Sequence, residues 1–137
     1  MGLYSHAASN LLLGTAIQES RLTYLKQLGG GPALGVYQIE PATLRDIHEN
    51  YLNRKPDMKL AVGNIRGFID DELAVIGNLH YATAIARLVY FRDKMPLPDA
   101  DDFEGLAKYW KRVYNTPAGK GTEQEFLENY RKYILEK

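Results

Sequence analysis

Cysteine is absent from the 137 residues, tryptophan occurs once, and neither sign of charge dominates, seventeen basic residues balancing seventeen acidic ones. Without cysteine there is no disulfide framework, no thiol nucleophile and no zinc–thiolate site. Without a basic excess the chain lacks the usual footprint of a nucleic-acid binder. That balance says little about carbohydrate, which is read by hydrogen bonds and ring stacking. Long hydrophobic runs are missing too. The N-terminal stretch MGLYSHAASNLLLG has no basic leader, and Leu11-Leu12-Leu13 is too short for a signal core. His6 stands where a myristoylation motif wants serine or threonine. The most apolar long stretch, 74–91, is interrupted by Asn78, His80 and Arg87, so it reads as a buried helix and not a membrane span. The expectation is a soluble protein made in the cytoplasm without its own export signal and without stable membrane insertion.

What is there suits one domain over 1–137. At 45% hydrophobic residues the chain can bury a core without a metal or disulfide staple. Ala8, Leu12, Ala16 and Glu19 recur at helical spacing, which predicts a first helix from about Ser5 to Glu19. Gly29-Gly30-Gly31-Pro32 breaks it. Leu34 to Ile39, short and rich in β-branched and aromatic residues, reads as an extended or strand segment, and Pro41 opens a helix carrying Leu44, Ile47 and Tyr51.

The stretch 53–67, with Pro56, Gly63 and Gly67, reads as irregular. A long helix is expected from about Asp70 to Lys94, stopped by Pro96 and Pro98. Phe103, Leu106, Ala107, Trp110, Val113 and Tyr114 give the strongest amphipathic pattern, and Thr122 with Glu125 forms a capping box before a last helix bearing Phe126, Tyr130 and Ile134. The fold class expected is α+β, mostly helical, with one small extended or β element.

Glu19 is the residue that invites chemistry. A carboxyl that continues an apolar stripe loses hydration, which favours its neutral form. A carboxylic acid still protonated near neutrality can give its proton to a leaving oxygen, as glycosidases require. From periodicity alone, a solvated acid in a last helical turn is the commoner reading.

The surrounding motifs change the balance. Glu19-Ser20, then Gly35-Val36-Tyr37-Gln38-Ile39 with Pro41 and Thr43, then Tyr114-Asn115, follow one another across nearly the whole chain. In this order and spacing they resemble the lytic transglycosylases, goose-type lysozymes and related phage proteins of the lysozyme-like superfamily. The resemblance implies a lysozyme-like catalytic domain in which Glu19 is the acid and base. It makes Ser20 a neighbour of the bound substrate, Gly35 a place where backbone approaches the saccharide, and Gln38 a contact to the sugar. Tyr114 would hydrogen-bond or orient the glutamate, with Asn115 beside it at the cleft. Two departures stand out: the usual Tyr-Asn-Ala-Gly becomes YNTPAGKGT, and Tyr37 replaces a frequent methionine with a ring able to stack on a sugar.

The implied activity is cleavage of the MurNAc-β-1,4-GlcNAc bond of bacterial peptidoglycan, with no cofactor and no metal. One carboxyl suffices if the substrate's 2-acetamido group stabilises the anomeric carbon and its 6-hydroxyl closes a 1,6-anhydro ring. A water-using lysozyme would ordinarily want a second carboxylate roughly 5–9.5 Å away. Glu40 is the nearest in sequence, since in a strand it would share a face with Gln38, but a surface residue before Pro41 is the commoner reading. Asp70, Asp71, Asp101 and Asp102 read as helix caps. The absence of a convincing second acid favours transglycosylase chemistry.

The resemblance is strongest to phage endolysins or virion-associated enzymes, acting in the periplasm or cell wall and delivered by a separate holin or by other virion proteins. The alternatives are a hydrolytic lysozyme on the same bond, or an inactive glycan-binding or structural virion protein. Other signals weigh less. His6, His48 and His80 lack metal spacing. GKGT at 119–122 has no preceding strand, so it does not read as a phosphate loop. Trp110, flanked by Tyr109 and Tyr114, reads as core in preference to a sugar platform.

Overall fold

The computed structural model describes residues 1–23, 25 and 31–136. Helix α1 (His6–Ser20) is followed by α2 (Pro41–Asn50), a 3-10 turn (Leu52–Arg54), α3 (Pro56–Arg66), α4 (Asp71–Gly77) and α5 (Leu79–Phe91). Helix α6 (Phe103–Tyr109) runs directly into a π-helical turn (Trp110–Asn115), and α7 (Glu123–Tyr130) into a second one (Arg131–Leu135).

Helix α5 is the centre. Tyr81, Ala82, Ile85, Ala86 and Leu88 have almost no exposed surface, and α1, α2, α3, α4 and the first π turn pack around them. Helix α1 begins where Ser5, in extended backbone, accepts the Ala8 N–H through its side chain at 3.0 Å. It ends at Arg21, which adopts the left-handed conformation with φ 52°. Its other flank lies against α7, and Gly14 is what permits that approach, because a Cβ there would collide with the Phe126 ring. Thr122 caps α7 by accepting the Glu125 N–H at 3.1 Å, as the sequence signal implies.

Three expectations are corrected. The fold is helical, and among the described residues no strand forms. The segment expected to be extended is a four-residue turn closed by a single antiparallel bridge, Leu34 to Ile39. The segment 53–67 is not irregular. Pro56 supplies the N-terminal start of α3, Gly63 is tolerated inside it with open space around its Cα, and Gly67 ends it at φ 73°.

The long helix expected over 70–94 is two helices. Asn78 leaves helical backbone, accepts the Tyr81 N–H at 3.1 Å and donates to the Ile65 carbonyl at 2.9 Å, so it caps α5 and ties it to α3. Leu79, the first residue of α5, is 61% exposed although it lies in phase with the apolar pattern of the stretch. Of the four aspartates, Asp70 and Asp102 cap α4 and α6, whereas Asp71 forms an ion pair with Arg66. Asp101 lies exposed in the preceding turn. Of the glycine run expected to break α1, Gly29 and Gly30 lie outside the described residues. Among the described residues no helix is long and apolar enough to cross a membrane.

Candidate active site

Glu19 sits in the last turn of α1 and lines a cleft of about 730 Å³ together with Gln38, Glu40, Tyr114, Asn115 and Lys120. Protein crowds the carboxyl, and the residue is half-buried where it lines the cleft. Burial pushes its pKa from the ordinary carboxylate range up to about 7, against the opposing pull of a hydrogen bond from Trp110. Among the described residues no cation forms an ion pair with it. An acid poised near neutrality is suited both to donate a proton and to take one back.

The hydrogen bond comes from an unexpected residue. Trp110, at the first position of the π turn, donates its indole N–H to Glu19 Oε2 at 3.1 Å. Tyr114, which the resemblance makes the partner of the glutamate, instead donates its hydroxyl to the Tyr37 carbonyl at 2.7 Å. The wide π turn carries residues 110–115 past the end of α1, so the indole meets the carboxyl while Tyr114 reaches over to the bridge loop. Tyr114 still borders the cleft. Its ring stacks on Tyr90 at 5.3 Å, and burial first, then the Glu19 charge, raises both phenol pKa values so that both stay neutral. The expectation that Trp110 is core holds, since it has no exposed surface. What periodicity does not show is that a buried indole N–H needs an acceptor.

The bridge loop forms the facing wall. Its ends exchange two backbone bonds of 2.9 Å between Leu34 and Ile39. Gly35 and Gln38 both take positive φ, 77° and 50°. Gln38 lines the cleft as expected, with Nε2 donating to the Gly35 carbonyl at 2.9 Å and thereby fixing the side chain. Gly35 is corrected: its backbone is buried, and a Cβ would stand 2.5 Å from the Val75 carbonyl of α4. It is glycine so that the loop can lie on α4, not so that a sugar can approach. Tyr37 is corrected as well. Only 6% of it is exposed and its hydroxyl pairs with Thr83 at 2.9 Å, so its ring belongs to the core and is not placed to stack on a sugar.

Ser20 borders the cleft, but its hydroxyl is already engaged. It donates to the Val36 carbonyl at 2.6 Å and accepts the Leu22 N–H at 3.2 Å, tying the end of α1 to the bridge loop. Asn115 borders the cleft with Oδ1 accepting from Lys111 Nζ at 2.7 Å; the same ammonium donates to the Gly119 carbonyl at 2.9 Å. The inserted residues thus fold back over the π turn, and Gly121 is small because a Cβ would lie 2.6 Å from Trp110 Cη2. Glu40, exposed at the start of α2, lines the cleft edge because the chain turns at Gln38, not because a strand alternates. Arg21 and Lys120 add positive charge to the rim, and the sequence motifs had singled out neither for this.

Among the described residues no group of three or more His, Asp or Glu side chains is arranged to hold a metal ion. The chain matches no protein-family model, no curated protein and no solved structure.

Proposed function

We propose that this chain is a peptidoglycan-cleaving enzyme of the lysozyme-like kind, a lytic transglycosylase acting on the MurNAc-β-1,4-GlcNAc bond with Glu19 as its acid and base. The observation that carries the reading is a carboxyl with a pKa of about 7, without an ion pair among the described residues, opening on a cleft bordered by Gln38, Tyr114 and Asn115. Protonated Glu19 gives its proton to the glycosidic oxygen as the bond to the MurNAc anomeric carbon breaks. The 2-acetamido oxygen bonds to that carbon and carries the positive charge. Glu19, now a carboxylate, takes the proton of the 6-hydroxyl, whose oxygen attacks the anomeric carbon, releases the acetamido group and closes the 1,6-anhydro ring. The carboxyl ends protonated, as it began. In this reading the protein is a phage lysis or cell-wall-penetration enzyme working in the periplasm, brought there by a holin or by a virion.

One observation favours a second reading on the same bond. Glu40 borders the cleft, and a second carboxylate activating water would make the enzyme a hydrolytic lysozyme.

Digestion of purified peptidoglycan followed by mass spectrometry of the muropeptides separates the outcomes. A 1,6-anhydro end is expected, and a reducing end supports the hydrolase. Glu19→Gln should lower the rate by at least about 10³-fold. Cleavage by the variant at the wild-type rate would take Glu19 out of the chemistry, and cleavage by neither protein would end both enzyme readings and leave a glycan-binding or structural role.

A further inference from the structure

We infer that Trp110 is the positioning residue of this cleft: its indole N–H, which can donate but never accept, holds Glu19 Oε2 as an acceptor and so places the transferable proton on Oε1. The catalytic half of this inference rests on the glycan-cleaving reading above; the placement of the proton does not.

A neutral carboxyl has one O–H and one bare oxygen. With the proton on Oε2 the indole, 3.1 Å away, would have to donate to a hydroxyl oxygen, a weaker acceptor than the carbonyl oxygen it meets when the proton is on Oε1. It therefore resides on Oε1, the oxygen that Trp110 leaves unbonded. After transfer, Oε1 is also the atom free to reclaim a proton, while Oε2 keeps its bond to Trp110 throughout. A tyrosine hydroxyl would not sort the two oxygens in this way, because it can accept as readily as donate.

The indole is held well enough to do this. It has no exposed surface, stacks on Phe126 with centroids 5.3 Å apart, and meets Gly121 at its far edge. Among the described residues, the other titratable groups around Glu19 are Tyr90 from α5, Tyr114 from the π turn, Arg21 at the end of α1, and Glu40 and Lys120 lining the same cleft. Among the described residues none of them hydrogen-bonds to the carboxyl.

Trp110 is the only tryptophan in the chain, so its signals report one site. The indole 1H–15N resonance, followed from about pH 5 to about pH 9 alongside the Glu19 carboxyl 13C resonance, should titrate with the same midpoint and stay flat in Glu19→Gln. Biosynthetic replacement of tryptophan by 3-benzothienylalanine keeps the ring shape and removes the N–H. It should raise the Glu19 midpoint by about one pH unit, because a donor that favours the charged form is lost. On peptidoglycan it should lower kcat by roughly tenfold to a hundredfold with KM little changed, and move the alkaline limb of the kcat profile upwards. Trp110→Phe should act in the same direction.

An indole signal indifferent to Glu19, or a replaced protein with unchanged midpoint and kcat, would overturn the inference. Coupled titrations in a protein that cleaves no glycan would leave the proton on Oε1 and overturn the catalytic half alone.

Discussion

Glu19 at the end of α1 and Asp71 at the start of α4 are both acids drawn partly out of water, and their surroundings send them in opposite directions. For both, burial is the largest influence and favours the neutral form. At Asp71 it is outweighed. Arg66 donates to Oδ1 at 2.7 Å, Tyr81 donates its hydroxyl to the same oxygen at 3.0 Å, and His48 stands 3.7 Å away, so the carboxyl titrates below its usual range. At Glu19, among the described residues, the one opposing influence is an uncharged indole donor, and the pKa rises. Burial alone does not make a proton donor; burial without a cation does. The α2–α5 corner holds its carboxyl charged, and the cleft holds one poised near neutrality.

The comparison predicts opposite signs for the removal of the two acids. Asp71→Ala should cost about 2 kcal/mol at neutral pH, because it removes the part-exposed Arg66 ion pair and one of the two hydrogen-bond partners of the buried Tyr81 hydroxyl, leaving it His48. A native pKa below the unfolded one means this stability is present above the unfolded value and lost as pH falls through the native value. Urea denaturation at two pH values should therefore show a gap near pH 7 that closes in acid. A gap independent of pH would assign the loss to packing and weaken the contrast.

Glu19→Gln should do the reverse. The native pKa of about 7 lies above the unfolded one, so the wild type is penalised wherever the folded carboxyl must ionise. The glutamine carbonyl still accepts the Trp110 N–H, while the charge is gone. At about pH 8 the variant should be more stable by about 2 kcal/mol, the cleft side of the carboxyl being hydrated enough to moderate the full shift. The advantage should shrink through neutrality and vanish by about pH 4, where both native and unfolded wild type hold the proton. Thermal melts of the two proteins across this range test it. A variant no more stable than wild type at the alkaline end would place Glu19 among ordinary surface acids.

How far the sequence carried this contrast differs between its two halves. The start of α1, the Thr122 cap and the buried Trp110 are local signals, one cap or one repeating spacing each, and all three stand in the structure. Asn78 was hidden because its capping role falls inside an apolar pattern that continues in phase on both sides. Helix α3 was hidden by Gly63, read as a breaker although a glycine in a helix costs only about 1 kcal/mol. The cleft was legible as a set of residues, with Glu19, Gln38, Tyr114 and Asn115 brought to one wall or another, but not as a set of bonds. Trp110 and Glu19 are 91 positions apart, and only the π turn decides that the indole, not the Tyr114 hydroxyl, reaches the carboxyl. Gly35 and Tyr37 were placed at the substrate by resemblance. The positive φ values of the bridge loop turn them towards α4 and α5 instead.

A third acid sharpens the comparison from inside the cleft, with the smallest expected effect. Glu40 borders the same space as Glu19 and makes no ion pair among the described residues, but it is exposed at the start of α2. If both burial and the missing cation are needed to create the acid, exposure disqualifies Glu40, and the single-carboxyl route should run without it. Glu40→Gln should then change stability by less than about 0.5 kcal/mol, as surface substitutions usually do. Its peptidoglycan cleavage should stay within about threefold of wild type, well short of the 10²-fold or more that a general base contributes. The muropeptides should still end in the 1,6-anhydro ring. A loss of that larger size, with reducing ends among the wild-type products, would mean that Glu40 activates water. The cleft would then work with two carboxylates in distinct environments, a buried donor and an exposed base, and the enzyme would be a lysozyme.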